Sequence, residues 1–320
     1  MNALKIADEI IAGRRLGRQD DLSFLLEEDL ETLQQGADRI RKELCGNEVD
    51  LCSIINGRSG RCSEDCKFCA QSGHHCTGVE EYDFLPAEKI VEDAKYHEAK
   101  GVHRYSIVTA GRNLGKDFQK AVDAYRQIKE NCPQLSLCAS HGLLSRDQFV
   151  ALKEAGVERY HENIETSKRN FTNICTTHTF EDKVEEIRMA KEAGLSICSG
   201  GIIGMGETFL DRIDMALWTA ELGVTSIPIN VLSPIPGTPY EDKESIAKED
   251  ILRTVAIFRY INPEAYVLMA AGRNRFDEGG KELFESGANA TITGDMLTTV
   301  GNTIAEDMEM FRNMGRTLKK

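Results

Sequence analysis

The run Phe180-Glu-Asp-Lys-Val-Glu-Glu-Ile-Arg-Met-Ala-Lys-Glu-Ala-Gly194-Leu-Ser-Ile-Cys198-Ser decides how this chain folds. Residues 180–193 form an amphipathic stretch, Gly194 supplies a left-handed cap, and a short strand-like run at 195–199 begins at once. The same junction recurs at Ala99-Lys-Gly101, Glu154-Ala-Gly156 and Glu221-Leu-Gly223. Working outward, short apolar or β-branched runs appear at 52–55, 104–108, 135–139, 157–161, 195–199, 225–230, 265–269 and 289–293. Longer amphipathic stretches separate them at 86–100, 116–131, 145–155, 180–193, 208–222, 248–261 and 277–286, and a last helix is expected from about 302 to 314. Strands alternating with helices argue for a parallel sheet in an α/β protein. Eight of them fit a TIM-type (β/α)8 barrel better than an open sheet. Residues 1–48, with Leu25, Leu26, Leu30 and Leu33 at helical spacing, read as an N-terminal helical extension. Residues 49–320 read as the barrel with its C-terminal helix, and no linker divides them.

Composition removes several classes of function. The 320 residues carry 39 basic and 52 acidic side chains, for a net charge of −13, with no basic face of the kind a nucleic-acid binder needs. No apolar run is long enough to span a bilayer, and the acidic N-terminus lacks a signal-peptide core. A cytoplasmic protein without nucleic-acid or membrane partners is therefore expected. In a reducing compartment its ten cysteines are better read as ligands, catalysts or buried apolar residues than as disulfides.

Strand parity adds an oddity. Ser136, Cys138 and Ser140 share one face, as do Ser196, Cys198 and Gly200, and Ser226 and Asn230. A packed barrel interior takes bulky branched residues. Small and polar inner faces suggest that this interior holds something other than side chains.

The strongest chemical signal is Cys62-Ser-Glu-Asp-Cys66-Lys-Phe-Cys69, just after the first strand, where barrels of this type place their chemistry. Three closely spaced thiolates suit an iron–sulfur cluster, filling three corners and leaving one iron open. A structural zinc site is the alternative, with His74, His75 or Cys76 as a fourth ligand. Cys45, Cys76, Cys132 and Cys175 fall near loops or helix ends and receive no role.

This triplet resembles the hallmark of the radical S-adenosylmethionine (SAM) superfamily. Other segments narrow the likeness: Cys198-Ser-Gly-Gly-Ile-Ile-Gly-Met-Gly-Glu-Thr208, Tyr160-His-Glu-Asn163-Ile-Glu165-Thr166, Ile227-Pro-Ile-Asn230, Gly237-Thr-Pro239, Ala271-Gly-Arg273, and Gly287-Ala-Asn289 leading to Thr298-Thr299. In this order and spacing the set resembles the biotin synthases, over residues 5–315.

The resemblance implies radical sulfur insertion into dethiobiotin, with the hard chemistry carried by cofactors rather than by side-chain acids or bases. It implies a SAM-binding 4Fe-4S cluster at Cys62, Cys66 and Cys69, with Phe68 near the adenine and Gly200, Gly201 and Ile202 where backbone approaches SAM. Asn163 and Glu165 would contact the SAM ribose and the substrate. Asn230 would hold the ureido ring, and Thr298 and Thr299 would lie near the substrate carboxylate. Implied partners are a flavodoxin or ferredoxin electron donor, the Fe-S assembly machinery and a second copy in a homodimer.

The family's second, sulfur-donating cluster is usually 2Fe-2S, held by three strand cysteines and one arginine. Here two of those positions are Ser106 and Leu268, leaving only Cys138 and Cys198. Cys52, on the inner face of the first strand, would restore a third thiolate. Three thiolates suit a four-iron cluster, 4Fe-4S or 4Fe-5S, better than a two-iron one. Rival readings are a radical SAM enzyme of the hydrogenase-maturase or methylornithine-synthase type, and a non-catalytic iron–sulfur or zinc protein.

Overall fold

The glycine junctions act as punctuation. In the computed structural model, which describes residues 2–294, 297 and 301–319, Gly194 adopts φ +84° after the helix Phe180–Glu192. Gly101, Gly156 and Gly223 behave alike. A side chain would be strained there, so glycine ends each helix and turns the chain into the next strand. Helix starts are equally explicit. Ser145, Thr179, Thr208 and Thr303 each close a reciprocal capping box with the residue three positions on.

The strands are β1 (Glu48–Arg58), β2 (Arg104–Thr109), β3 (Ser136–Ser140), β4 (Val157–His161), β5 (Ser196–Cys198), β6 (Gly201–Ile203), β7 (Ser226–Val231), β8 (Tyr266–Met269), β9 (Ala290–Ile292) and β10 (Thr317–Leu318). All pairings among them are parallel. The order β1-β2-β3-β4-β5-β7-β8-β9 closes through β1–β9, and β6 continues the path of β5 along β7. Counting β5 and β6 as one interrupted strand gives the eight-position barrel expected from the sequence. The interruption has a steric cause. A Cβ on Gly200 would lie 2.0 Å from the Pro228 carbonyl oxygen, so only glycine lets β5 and β7 approach here.

Four local expectations are corrected. The stretch 277–286 is not one helix. Gly279 and Gly280 at φ +69° and +86° break it into a 3-10 turn and the short helix Lys281–Glu285. The helix Lys168–Ile174, capped by Ser167, lies in a segment where no helix was expected. β10 extends the sheet beside Glu48 and Val49. β1 runs Glu48–Arg58, longer at both ends than the run expected at 52–55.

Helices Ala3–Ile11, Phe24–Glu27 and Leu30–Cys45 precede the barrel. They pack on the helix Lys248–Ile261, where the Phe24 and Tyr260 rings meet edge to face at 5.5 Å and Tyr260 Oη donates to the Ala3 carbonyl. The apolar core lies outside the barrel wall. Tyr105, Ile107, Leu137, Ile197, Ile227 and Val267 all point outward into one buried cluster with the helices. Inside, Cys52, Leu268, Ala270 and Ala290 form only a small apolar cluster, and a cavity lined by many polar side chains and thiols takes up much of the remaining interior. Among the described residues no helix is long and apolar enough to cross a membrane.

Candidate active site

The loop after β1 is held in a tight curl by its own backbone. Cys62 N donates to the Gln71 carbonyl, Gly73 N to the Cys62 carbonyl at 2.7 Å, and Cys69 N to the Cys66 carbonyl. The Gln71 side chain accepts from Gly60 N and from Asn56 Nδ2. This curl places Cys62, Cys66, Phe68 and Cys69 on the wall of one cavity of about 410 Å³. Burial pushes the Cys62 and Cys69 thiols up, Cys69 to about 11, so an unligated pair stays neutral at pH 7. Metal binding would release those protons. Three thiols on one wall, spaced by the loop, fit an iron–sulfur cluster with one open iron.

The same cavity reaches Cys52 on β1, Cys138 on β3 and Cys198 on β5, all buried. Cys138 and Cys198 lie on the inner faces expected from parity, and Cys52 faces them. Two guanidiniums stand among these thiols. Arg104 Nη1 lies 3.8 Å from Cys138 Sγ, and Arg104 Nε 3.3 Å from Asp50 Oδ2. Arg159 reaches the same carboxylate oxygen at 3.8 Å. His161 Nδ1 lies 3.3 Å and Ser226 Oγ 3.5 Å from Cys198 Sγ. Burial raises all three thiols. For Cys52 the Cys138 thiol adds to it, whereas Arg104 opposes it for Cys138 and Arg159 for Cys198. Among the described residues, Arg159 Nε is buried without a hydrogen-bond partner. An unpaired buried donor is costly. Three thiols, two cations and an orphaned N–H fit an anionic iron–sulfur cluster. Ser106 and Leu268 also line this end, and neither supplies a thiol or a guanidinium.

Sequence reasoning missed Arg104 and Arg159. A signal was present for Arg104, the lone charge in its strand run Arg104–Thr109; Arg159 stands beside Glu158, and its register with Cys138 shows only in the fold.

Between the two thiol sets, β4 is latched to the β5–β6 break. Asn163 Oδ1 accepts from Gly200 N at 3.1 Å, and Glu165 N donates to the Gly200 carbonyl. Glu165 takes φ +66°, and its carbonyl accepts from Ile202 N. A Cβ on Gly201 would lie 2.3 Å from that carbonyl. Both glycines are thus demanded by backbone contact within the wall, whatever approaches from the cavity. Asn230 spans two strands, with Nδ2 donating to the Gly201 carbonyl and Oδ1 accepting from Ala271 N, each at 3.3 Å. One amide hydrogen and one lone pair remain for a ligand. Thr298 and Thr299 lie outside the described residues.

Two profiles divide the chain: the radical SAM superfamily over residues 58–219, and the biotin and thiamin synthesis associated domain over 228–317. A biotin synthase of Clostridium beijerinckii is 65% identical over 312 residues, covering 97% of this chain and 98% of that protein. The chain belongs to the biotin synthase family. A biotin synthase of Alkaliphilus metalliredigens is 63% identical over 316 residues, covering 98% and 99%. Solved structures give the fold alone. Methylornithine synthase superposes with TM-score 0.84 at 22% identity, covering 98% of this chain and 97% of that one. The FeFe-hydrogenase maturase HydG of Carboxydothermus hydrogenoformans gives 0.83 at 16%, covering 99% and 79%. The methylornithine-synthase and hydrogenase-maturase types thus share this barrel with the chain. Like other members of its family, the chain is a radical SAM enzyme, which sets aside the non-catalytic reading. Membership implies SAM, a 4Fe-4S cluster and an auxiliary cluster.

Beside the cavity, this biotin synthase family member buries a network with a testable pH signature. Glu186 Oε1 accepts from Leu144 N at 2.8 Å, and Tyr160 Oη lies 3.4 Å away, while Oε2 has no partner among the described residues. Burial first, and the Glu162 carboxylate second, push Glu186 up to about 10, with Lys183 opposing. The folded state therefore keeps a proton that the unfolded state loses above the ordinary value of 4.5. The stability Glu186 contributes is complete below that value and is lost as pH rises toward 10. Glu186→Gln cannot ionise. Its urea midpoint is expected to match the parent near pH ~4.5 and to exceed it increasingly toward pH ~9. Equal midpoints throughout would show that Glu186 is ionised in the fold.

Proposed function

We propose that the enzyme inserts sulfur into dethiobiotin to form biotin, using two clusters that share one cavity. Cys62, Cys66 and Cys69 would hold the SAM-binding 4Fe-4S cluster. Cys52, Cys138 and Cys198 would hold an auxiliary four-iron cluster, 4Fe-4S or 4Fe-5S, rather than the usual 2Fe-2S. The observation that carries this reading is the cavity of about 410 Å³ with one thiol set in its loop wall and the other among its strands.

When bound, SAM and its cluster supply a carbon radical able to break unactivated C–H bonds, chemistry that no side chain here provides. The chain's own residues bind, orient and exclude water. Phe68 gives the adenine an apolar surface. Asn163 and Glu165, latched to Gly200, Gly201 and Ile202, present a rigid polar edge to the SAM ribose and the substrate. Asn230 offers its remaining donor and acceptor to the cyclic urea, and Thr298 and Thr299 serve the substrate carboxylate. Arg104 and Arg159 balance the charge of the auxiliary cluster, the task left open by Leu268. An electron donor of the flavodoxin or ferredoxin class, the Fe-S assembly machinery, a homodimer and a cytoplasmic setting complete the proposal.

The test is an anaerobic assay of the reconstituted enzyme with SAM, reductant, sulfide and dethiobiotin, read by mass spectrometry. Biotin together with 5′-deoxyadenosine is expected. Deoxyadenosine without biotin would overturn the substrate assignment. Neither product, from protein verified to hold its first cluster, would overturn the reaction class.

A further inference from the structure

A third set of donors shares Cys66 with the cysteine triplet and adds two residues that take no part in the roles above. Cys175 follows the helix Lys168–Ile174, and His178 lies three residues on. Both are buried. Cys66 Sγ lies 3.6 Å from Cys175 Sγ. The His178 ring nitrogens lie 3.3 Å (Nδ1) and 3.8 Å (Nε2) from Cys175 Sγ. The donor atoms of Cys66, Cys175 and His178 all fall within 4.8 Å of one another. A tetrahedral zinc ion, with Zn–S about 2.3 Å and Zn–N about 2.0 Å, needs S···S edges of about 3.8 Å and S···N edges of about 3.5 Å. The Cys66–Cys175 separation and the 3.8 Å from Cys175 Sγ to His178 Nε2 are already close to those edges.

Two carboxylates complete the surroundings. Asp65 Oδ1 lies 3.2 Å from Cys175 Sγ and is held by Thr176 N at 2.8 Å. Glu64 Oε2 lies 2.6 Å from His178 Nδ1. A carboxylate on one ring nitrogen fixes the tautomer and turns the other nitrogen toward a metal, as in carboxylate–histidine–zinc sites. Two thiols, an imidazole and an adjacent carboxylate form a zinc-type donor set.

We propose that the chain without its SAM cluster binds one zinc ion through Cys66, Cys175 and His178, with Glu64 orienting the imidazole and the fourth position left to solvent. Binding releases the thiol protons to solvent. Zinc and the SAM cluster then exclude one another, because both need Cys66. This exclusion rests on the cluster assignment of Cys66 made above, whereas the zinc site stands on geometry alone. The site protects Cys66 and Cys175 from oxidation before assembly, and it makes cluster loading sensitive to free zinc.

The test uses the full-length chain prepared without cluster, titrated with zinc and with cobalt as its spectroscopic substitute. One tight equivalent with a tetrahedral thiolate–cobalt spectrum is expected. Cys175→Ser should weaken binding by more than the ~10–100-fold that loss of an outer-shell partner costs. The double variant Cys62→Ala, Cys69→Ala should retain it. Should Cys175→Ser fail to fold, His178→Gln reads the same site. Unchanged binding in Cys175→Ser, or loss of binding in the double variant, would place zinc on the triplet and overturn the proposal. In the second arm, zinc-loaded wild type should take up cluster iron only after chelation, whereas Cys175→Ser takes it up in the presence of zinc. Equal uptake by both would overturn the exclusion. Failure of zinc-free wild type to assemble the cluster would instead count against the assignment of Cys66 to it.

Discussion

Replacing Cys62, Cys66 or Cys69 with Ala is expected to abolish 5′-deoxyadenosine formation and to remove one cluster's worth of iron. The auxiliary cluster's iron should stay. The three thiols line one wall, positioned by a loop whose backbone hydrogen bonds close on Cys62, Cys66 and Gln71. Two thiolates would leave two irons without protein ligands, and no carboxylate in the curl is free to replace the third. Asp65 is committed to Thr176 and Thr177, and Glu64 to Thr177 and His178. Iron analysis, absorption spectra and deoxyadenosine yield read the outcome together. Deoxyadenosine at the parent rate from any of these variants would remove that residue from the ligand set.

Cys52→Ala is expected to separate the two halves of the reaction. Deoxyadenosine should still form, biotin should fall to background, and the iron lost should be the auxiliary cluster's. Without Cys52 only Cys138 and Cys198 remain, on strands separated by β4. Arg104 and Arg159 would then face each other with less negative charge between them, so the site would favour collapse or water entry over a two-thiolate cluster. Cys52→Ser distinguishes ligation from packing. It nearly preserves shape, so a packing role predicts normal iron and normal biotin, whereas ligation predicts loss of both. Unchanged auxiliary iron and sulfide in Cys52→Ala would sink the three-thiolate assignment.

Much of this was readable along the chain. The helix–glycine–strand junctions at Gly101, Gly156, Gly194 and Gly223 mark the barrel's alternation because a left-handed backbone position is a local demand. The faces carrying Cys138, Cys198 and Ser226 follow from the period of a strand, which is also local. The triplet Cys62, Cys66 and Cys69 announces itself by spacing within one loop. In each case the partners are a few residues apart, or one periodicity suffices.

Other features depended on what the closed barrel brings together. Gly200 was readable as a glycine-rich turn, but the 2.0 Å approach of the Pro228 carbonyl that requires it is visible only once β5 lies beside β7. Arg104 and Arg159 received no role from the sequence, and only closure aims both at Asp50 and the inner thiols. Cys175 carried no assignment in the sequence, yet it sits 3.6 Å from Cys66, a residue 109 positions away. Sequence by itself determined the barrel and the first set of thiols, because local backbone geometry and spacing encode them. Only the tertiary structure decided what surrounds each thiol, since burial, charge and metal-ligand distance are set by contacts between strands and loops remote along the chain.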